Sequence, residues 1–369
     1  MEVQYFCRLR PLGEYFIGGE KTFDFGGSKG SVKSNYFIHS EEEISQATIL
    51  GMIRFVILKK NDLLSDGWND KGKKEQQKVF IGANGFTIDS SQKTYDYGKL
   101  KNISPVFVYE GDELLLHAPL NHKTYWEDEN KKSHKNEKYM PFHMCQTGYS
   151  DMGQITYVPE DFVAKDGLCY DFMKLNDEEI IDRSDVFQKQ IRTRVSKNSA
   201  EDGFFKRTYQ FLKKGYSFGF YITMEEGWCP ETTVKDEIVY MGQEKSAFVL
   251  SFERKDRAEL KLGTEADKNP DYQVYYIASD SYIEDFSLVK NMICYAIIEK
   301  KSYRFLTLQT GNNYAESRRM SERFQFVKAG SVFYVRNGMG EAFKAAFSET
   351  DLSRALQQIG FNQMIRIGE

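Results

Sequence analysis

The sequence predicts an α+β protein dominated by strands and divided into two halves. Three observations carry this. The chain has 369 residues, enough for two domains that each bury a core. Aromatic residues make up 15% of it, with 28 Phe and 23 Tyr, and aromatics favour strands. Short alternating segments recur along the chain, with only a few helix-period stretches between them. The order of strand, loop, strand, helix and further strands is compatible with ferredoxin-like α+β domains carrying hairpin and loop insertions. A break near Asp182–Gln188 separates residues 1–185 from residues 186–369.

The elements follow in order. "VQYFCRL" alternates, so Val3, Tyr5, Cys7 and Leu9 share one face of a strand. "GGEKTFDFGG" reads as a glycine-flanked turn with a short strand. A helix comes next: Ser40 with Glu43 fits a capping box, Ser45 or Thr48 fits a later start, and the helix runs to Lys60. "NDLLSDGWNDKGKKEQQK" is a polar loop with a short helix, and "ISPVFVYEGDELLLHAP" is two strands around Glu110–Gly111–Asp112. Asn121–Met140 is a charged, aromatic-dotted surface insertion, and "LNDEEIIDRSDVFQK" is a short helix. In the second half "QKQIRTRVS" is a strand, and "FKRTYQFLKKGYSFGFYITM" is a hairpin turning near Lys214–Gly215. "KSAFVLSFER", "YQVYYIAS", "MICYAIIEK" and "YRFLTLQT" are further strands. "RFQFVKAGSVFYVRNG" is a hairpin turning at Ala329–Gly330, "GEAFKAAFSETDLSRALQQIG" is helical with Gly360 as its stop, and "QMIRI" is a final strand.

Composition then removes several function classes. The net charge is −4, without the basic excess of a free-standing nucleic-acid binder, so any such contact is local or shared with partner subunits. Cys7, Cys145, Cys169, Cys229 and Cys294 form no CxxC and read as reduced thiols, most of them small core residues. The opening "MEVQYFCRLRPLG" has no apolar signal core, and the longest apolar run, Ala47–Leu58, is short and contains Arg54. The expectation is a soluble cytoplasmic protein without membrane contact. His39, His117, His122, His134 and His143 show no HExxH or HxxxH spacing, so no metal is expected, and no small cofactor is indicated. Three of these histidines lie in or beside the charged insertion and read as surface residues. GxxxxGK[ST] is absent from the sequence. Glu41–Glu43 and Glu225–Glu226 read as solvated turns and caps.

Basic and glycine-bearing stretches are the candidates for binding. In "SQATILGMIR" a glycine sits one turn into a helix, where it costs roughly 1 kcal/mol relative to alanine. Gly51 is therefore expected to admit a close approach by a packed strand or a ligand, with Arg54 three residues on. Arg192 and Arg194 share one face of a strand, which is either simply solvated or a row of phosphate or carboxylate contacts. Arg318, Arg319 and Arg323 in "ESRRMSERF" carry the same two readings. "YFIGGEKTF", "YMGQEKSAF" and "KAGSVFYV" place small residues at strand edges, where turn chemistry accounts for each one singly.

Taken together and in order, "RPLGEYFIGGEKTF", "NYFIHSEEEISQATILGMIR", "QIRTRVSKNSAEDGFFKRTYQFL", "YMGQEKSAFVLSF", "RFQFVKAGSVFYV" and "IGFNQMIRIG" span nearly the whole chain. This set resembles the Cmr-type RAMP subunit, the third of the Cmr set, of type III-B CRISPR effector complexes. The resemblance implies two ferredoxin-like, RRM-related domains. It implies a non-catalytic subunit that caps the crRNA 5′ tag and joins the large polymerase/cyclase-like subunit to the backbone subunits, meeting target RNA only indirectly. It places RNA contacts at Lys33, Asn35, Thr48, Gly51, Arg54, Arg192, Arg194, Lys245, Ser246, Arg318 and Arg319. The helix start would suit phosphate, and Tyr36, Phe37 and Tyr216 are candidates for stacking on unpaired bases. The chain departs from the family's glycine-rich basic loop at Gly242–Ser246, where Gln243 stands for a glycine and Lys245 is the only cation. The alternative is a RAMP-type endoribonuclease that processes CRISPR repeat RNA, with His39 as its acid or base.

Overall fold

The computed structural model describes residues 1–18, 36–64, 71–83, 86, 88, 95–123, 138–149, 155–160, 168–195, 204–229, 235–242, 244–263, 269–308, 318–320 and 323–368. It is a mixed α+β, sheet-rich structure with few helices. The first strand, β1 (Glu2–Pro11), is covered on both faces: Cys7 and Leu9 enter one core, Phe6 the other. β2 (Ile17–Gly18) and β3 (Tyr36–Glu41) lead to helix α1 (Gln46–Lys60). Ser45 caps α1, its Oγ accepting the Thr48 N–H at 3.3 Å. Ser40 belongs to β3 instead and accepts the Ile17 N–H at 2.9 Å. Ile49, Leu50, Ile53, Val56 and Ile57 recur at helical spacing and are buried in the first core. Lys59 and Lys60 close the helix on Glu237, at 2.6 and 3.1 Å.

After α2 (Lys71–Ile81) come β4 (Leu100–Ile103), β5 (Phe107–Glu110) and β6 (Glu113–His117), the last two joined through Gly111–Asp112 as expected. β7 (Met144–Tyr149) and β8 (Ile155–Pro159) form a separate hairpin. β9 (Phe172–Lys174), β10 (Ile180–Ile181) and the single turn α3 (Arg183–Val186) precede the long strands β11 (Phe187–Val195), β12 (Phe204–Leu212) and β13 (Tyr216–Glu225). The short helix expected around Leu175–Lys189 shrinks to α3, because Ile180 is drawn into the sheet opposite Met173. β14 (Glu237–Met241), β15 (Ser246–Arg254), β16 (Tyr272–Ile277), α4 (Phe286–Lys290), β17 (Ile293–Ile297), β18 (Lys300–Tyr303), β19 (Leu306–Leu308), β20 (Arg318–Met320), β21 (Phe324–Val327) and β22 (Val332–Arg336) follow. The chain ends through α5 (Gly340–Ala345), α6 (Asp351–Gln358) and β23 (Met364–Arg366).

Nine strands make the largest sheet, in the order β10-β9-β6-β5-β13-β1-β15-β14, with β4 also paired to β13. It draws strands from both sides of residue 185. A second sheet runs β11-β12-β3-β2 and a third β17-β22-β16-β23. Neither expected second-half hairpin pairs as one. β12 bonds to β11 and β3, whereas β13 bonds to β1, β4 and β5. β21 bonds to β18, and β22 to β16 and β17. The turns at Lys214–Gly215 and Ala329–Gly330 reverse the chain, but burial selects the partners. Phe218, Phe220, Ile222 and Met224 suit the middle of a covered sheet, and β11 is exposed from Gln188 to Thr193, Ile191 and Arg192 included. No described helix is long and apolar enough to cross a membrane.

Candidate functional site

The end of β3, the start of α1 and the strand β18 meet around a cleft of about 1000 Å³. Ser45 and Gln46 bring the first turn of α1 to its edge, with the N–H groups that any helix start leaves without helical partners. Gln46 Nε2 donates to the Ser104 carbonyl at 2.9 Å and fixes that turn against the segment before β5. Around it stand Arg183, Lys189, Lys300, Lys301, Arg304, Arg323 and Lys328, against Glu41, Glu42, Glu43, Asp280 and Glu299. The cleft is thus net basic in a chain of net charge −4.

The charges pair unevenly. Arg183 bonds Glu42 at 2.5 Å and also Glu43, and its guanidinium lies 4.8 Å over the Phe172 ring. Lys189 adds a second contact to Glu42 at 2.8 Å, and His117 meets Glu43 at 2.8 Å. Burial by itself raises the Glu43 pKa, but His117 and Arg183 outweigh it and hold the carboxyl well below its ordinary range. Glu42 is lowered for the same reason: Lys189 and Arg183 overcome its burial. These carboxylates are structural members of the cleft wall, not the solvated caps expected from sequence. On the facing side Lys301 pairs with Asp280 at 3.1 Å, and the Tyr303 hydroxyl and Ala329 N–H also donate to that carboxylate. Burial raises Asp280 as well, but Lys301 outweighs it and the net shift is downward. Lys328 pairs with Glu299 at 2.8 Å. Lys300 and Arg304 have no acidic partner among the described residues, and the Arg304 Nε is buried without a hydrogen bond.

The structure brings few of the sequence-chosen residues to this cleft. Lys33 and Asn35 lie outside the described residues, as do His134 and Gln243. Thr48 serves the α1 cap, its hydroxyl 2.9 Å from Ser45 Oγ. Gly51 is exposed and faces open space: a Cβ there meets nothing within 4 Å, so no packed strand explains it. Arg54 turns away and packs on protein, 5.5 Å over the Tyr97 ring with a bond to the Asp96 carbonyl at 3.3 Å. Arg192 is paired with Glu14 at 2.6 Å and lies over Tyr209. Arg194, Arg318 and Arg319 lie on β11 and β20, where only their backbone is described. Lys245 is exposed at the β14–β15 turn, with φ of +53°, away from the cleft. Ser246 Oγ accepts the Phe16 N–H at 2.9 Å, which ties that turn to the strand below. Gly242, with φ of +73°, is required there because a Cβ would collide with the Phe16 carbonyl. The close approach at this loop is therefore made by protein backbone.

Of the other candidates, Tyr36 and Phe37 are described only as backbone, and Tyr216 is half-buried with its hydroxyl donating to Glu110 at 3.2 Å. Burial and that carboxylate push its pKa up to about 12. His39 does line the cleft, 3.5 Å from Thr208 Oγ1. His122, expected at the surface, is buried, and its Nδ1 accepts the Met140 N–H at 2.9 Å. Only Cys7 and Cys169 among the thiols are fully buried. Sequence reasoning missed Lys300 and Arg304, although "KKSYRF" offers a signal: three cations within five residues, interleaved with aromatics on a strand.

No family model and no curated protein matches the chain. Among solved structures, a chain of the type III-B Cmr-beta complex bound to cognate target RNA is similar, with 14% identity and a TM-score of 0.47, covering 98% of this chain and 99% of that one. A chain of the Csm3-Csm4 subcomplex of the type III-A CRISPR-Cas interference complex has 9% identity and a TM-score of 0.34, covering 89% and 92%. A chain of the Csm1-Csm4 cassette in complex with cA4 has 10% identity and a TM-score of 0.32, covering 91% and 87%.

Proposed function

We propose that this chain is a non-catalytic RNA-binding subunit of a type III-B CRISPR effector complex of the Cmr kind. In this reading it is built from two ferredoxin-like halves that share the nine-stranded sheet. It holds the single-stranded crRNA 5′ tag and joins a large polymerase/cyclase-like subunit to the backbone subunits. The observation that carries the RNA part is the open side of the cleft. Among the described residues Lys300 and Arg304 have no acidic partner, and they line the same cleft as the start of an α-helix, in a chain that is acidic overall. Cations left unpaired next to helix N–H groups suit phosphate. The ordered stretches of sequence supply the complex. A single subunit needs only a few such contacts, because affinity scales with the phosphates neutralised by the whole assembly.

Co-purification tests the reading. The tagged chain is expressed with its neighbouring genes, and any RNA that follows it is sequenced. Short RNAs sharing one repeat-derived 5′ end, together with a large partner, are the expected result. A lone chain without RNA, from cells that do make the partners and the crRNA, overturns it. The endoribonuclease alternative keeps one specific observation in its favour, since His39 lines the same cleft. Repeat RNA incubated with the pure chain is expected to stay intact; cleavage that disappears in His39→Ala would replace the scaffold reading with the enzymatic one.

A further inference from the structure

The β7–β8 hairpin carries a second constellation, outside the cleft. His143 stands immediately before β7 and Glu160 immediately after β8, and the Glu160 N–H donates to the His143 carbonyl at 2.9 Å. The two residues therefore face each other across the open end of the hairpin. Cys145 is two residues beyond His143, on the same strand face, with Val158 as its cross-strand neighbour. This register brings three donor atoms together. His143 Nδ1 is 3.1 Å from Glu160 Oε2, Cys145 Sγ is 3.2 Å from the same oxygen, and the sulfur and the ring nitrogen are 3.6 Å apart.

We propose that His143, Cys145 and Glu160 bind a divalent cation of the zinc class. The ligand-to-ligand edges of a tetrahedral zinc site are about 3.3–3.6 Å, given its usual bond lengths to sulfur, nitrogen and oxygen. The three separations here already lie within a few tenths of an ångström of those edges, so little movement is needed. The donor set selects the metal. A thiolate with an imidazole suits zinc and disfavours magnesium or calcium, which seek oxygen. Three protein ligands leave a fourth position for water or a group from a partner. His143 and Glu160 are exposed, so the ion reaches the site without unfolding of the chain. Binding displaces the Cys145 proton, now donated to Glu160, so affinity rises with pH.

The ion would act as a clip. It joins the two ends of a hairpin whose other anchorage includes the Tyr157 hydroxyl, which donates to Asp271 at 2.8 Å. The backbone register that sets the three donors is independent of the RNA reading.

The experiment uses the full chain with any affinity tag removed. Zinc chloride is titrated in by calorimetry, and cobalt(II) is followed by absorption. One zinc per chain and a thiolate-to-cobalt charge-transfer band are expected. Cys145→Ser should abolish the band and weaken zinc by more than the about 10–100-fold that loss of an outer-shell partner costs. Cys229→Ser should leave both unchanged. Far-UV circular dichroism identical between Cys145→Ser and the parent excludes misfolding as the cause. Absence of stoichiometric zinc uptake, or uptake that persists in both Cys145→Ser and His143→Ala, overturns the proposal.

Discussion

The two walls of the cleft carry similar cations but present different charge. On the wall formed by the β3–α1 connection and α3, Arg183 and Lys189 are consumed by Glu42 and Glu43, with His117 closing the network. On the facing wall Lys301 is matched by Asp280 and Lys328 by Glu299, whereas Lys300 and Arg304 line the cleft without acidic partners among the described residues. The first wall is a structural ion-pair network that shapes the cleft. The second holds the charge that an anion can use. Counting basic residues in a sequence cannot separate these roles, because what matters is which carboxylate each cation meets.

The largest expected effect breaks the first wall. Arg183→Ala leaves two half-buried carboxylates facing each other and should cost about 2–4 kcal/mol in urea unfolding at neutral pH, after a discount for partial exposure. The pH dependence has a definite sign. Glu42 and Glu43 have lowered folded pKa values, so their contribution is present above the ordinary carboxylate range and is lost as pH falls through the lowered values. The gap between parent and variant should therefore narrow on acidification below about pH 4. A deficit that is small and flat with pH would mean that both walls are solvated alike.

The next effect is on the second wall. Lys300→Gln with Arg304→Gln should leave the unfolding midpoint near that of the parent. It should flatten the slope of log affinity against log salt for single-stranded RNA by about 1.4, from about 0.7 per phosphate contact. An unchanged slope would deny this wall its role. Arg192→Gln sharpens the contrast from outside the cleft: the pair of this exposed arginine with the partly buried Glu14 is worth about 1 kcal/mol, and RNA affinity should move by less than about twofold. The smallest effect comes from Gly51→Ala. The new methyl meets open space, so the variant should gain about 0.5–1 kcal/mol, read from thermal unfolding. A loss of RNA binding in that variant would instead place a ligand at Gly51.

Much of the element pattern was legible before the structure. The alternation in β1, the Lys60 end of α1 and the β5–β6 turn at Gly111–Asp112 rest on local chemistry, whereas the sequence offers Ser40, Ser45 and Thr48 alike for the start of α1 and only the structure selects Ser45. Pairing was not legible, because a turn at Gly215 announces a reversal without naming the sheet that each strand joins. Among the sites, His39 and Arg323 reach the cleft, whereas Arg54 spends its charge on Tyr97 and Asp96. Arg183 and Glu42 are 141 residues apart, and no spacing rule connects them. The zinc-class trio escaped for a related reason: His143 and Cys145 are close in sequence, but Glu160 arrives only through the register of β7 against β8.

The position of β1 in the large sheet also sets a clock. Its two neighbours are β13, ending at Glu225, and β15, ending at Arg254. At ordinary synthesis rates of about 5–20 residues per second, roughly 10–40 s pass between the emergence of β1 and that of β13. For that interval Phe6, Cys7 and Leu9 have no sheet to enter, and their unpaired edges are exposed to the cell. Chaperone capture of a ribosome-bound chain stalled before Tyr216, and its release once Arg254 is out, would follow directly from the strand order.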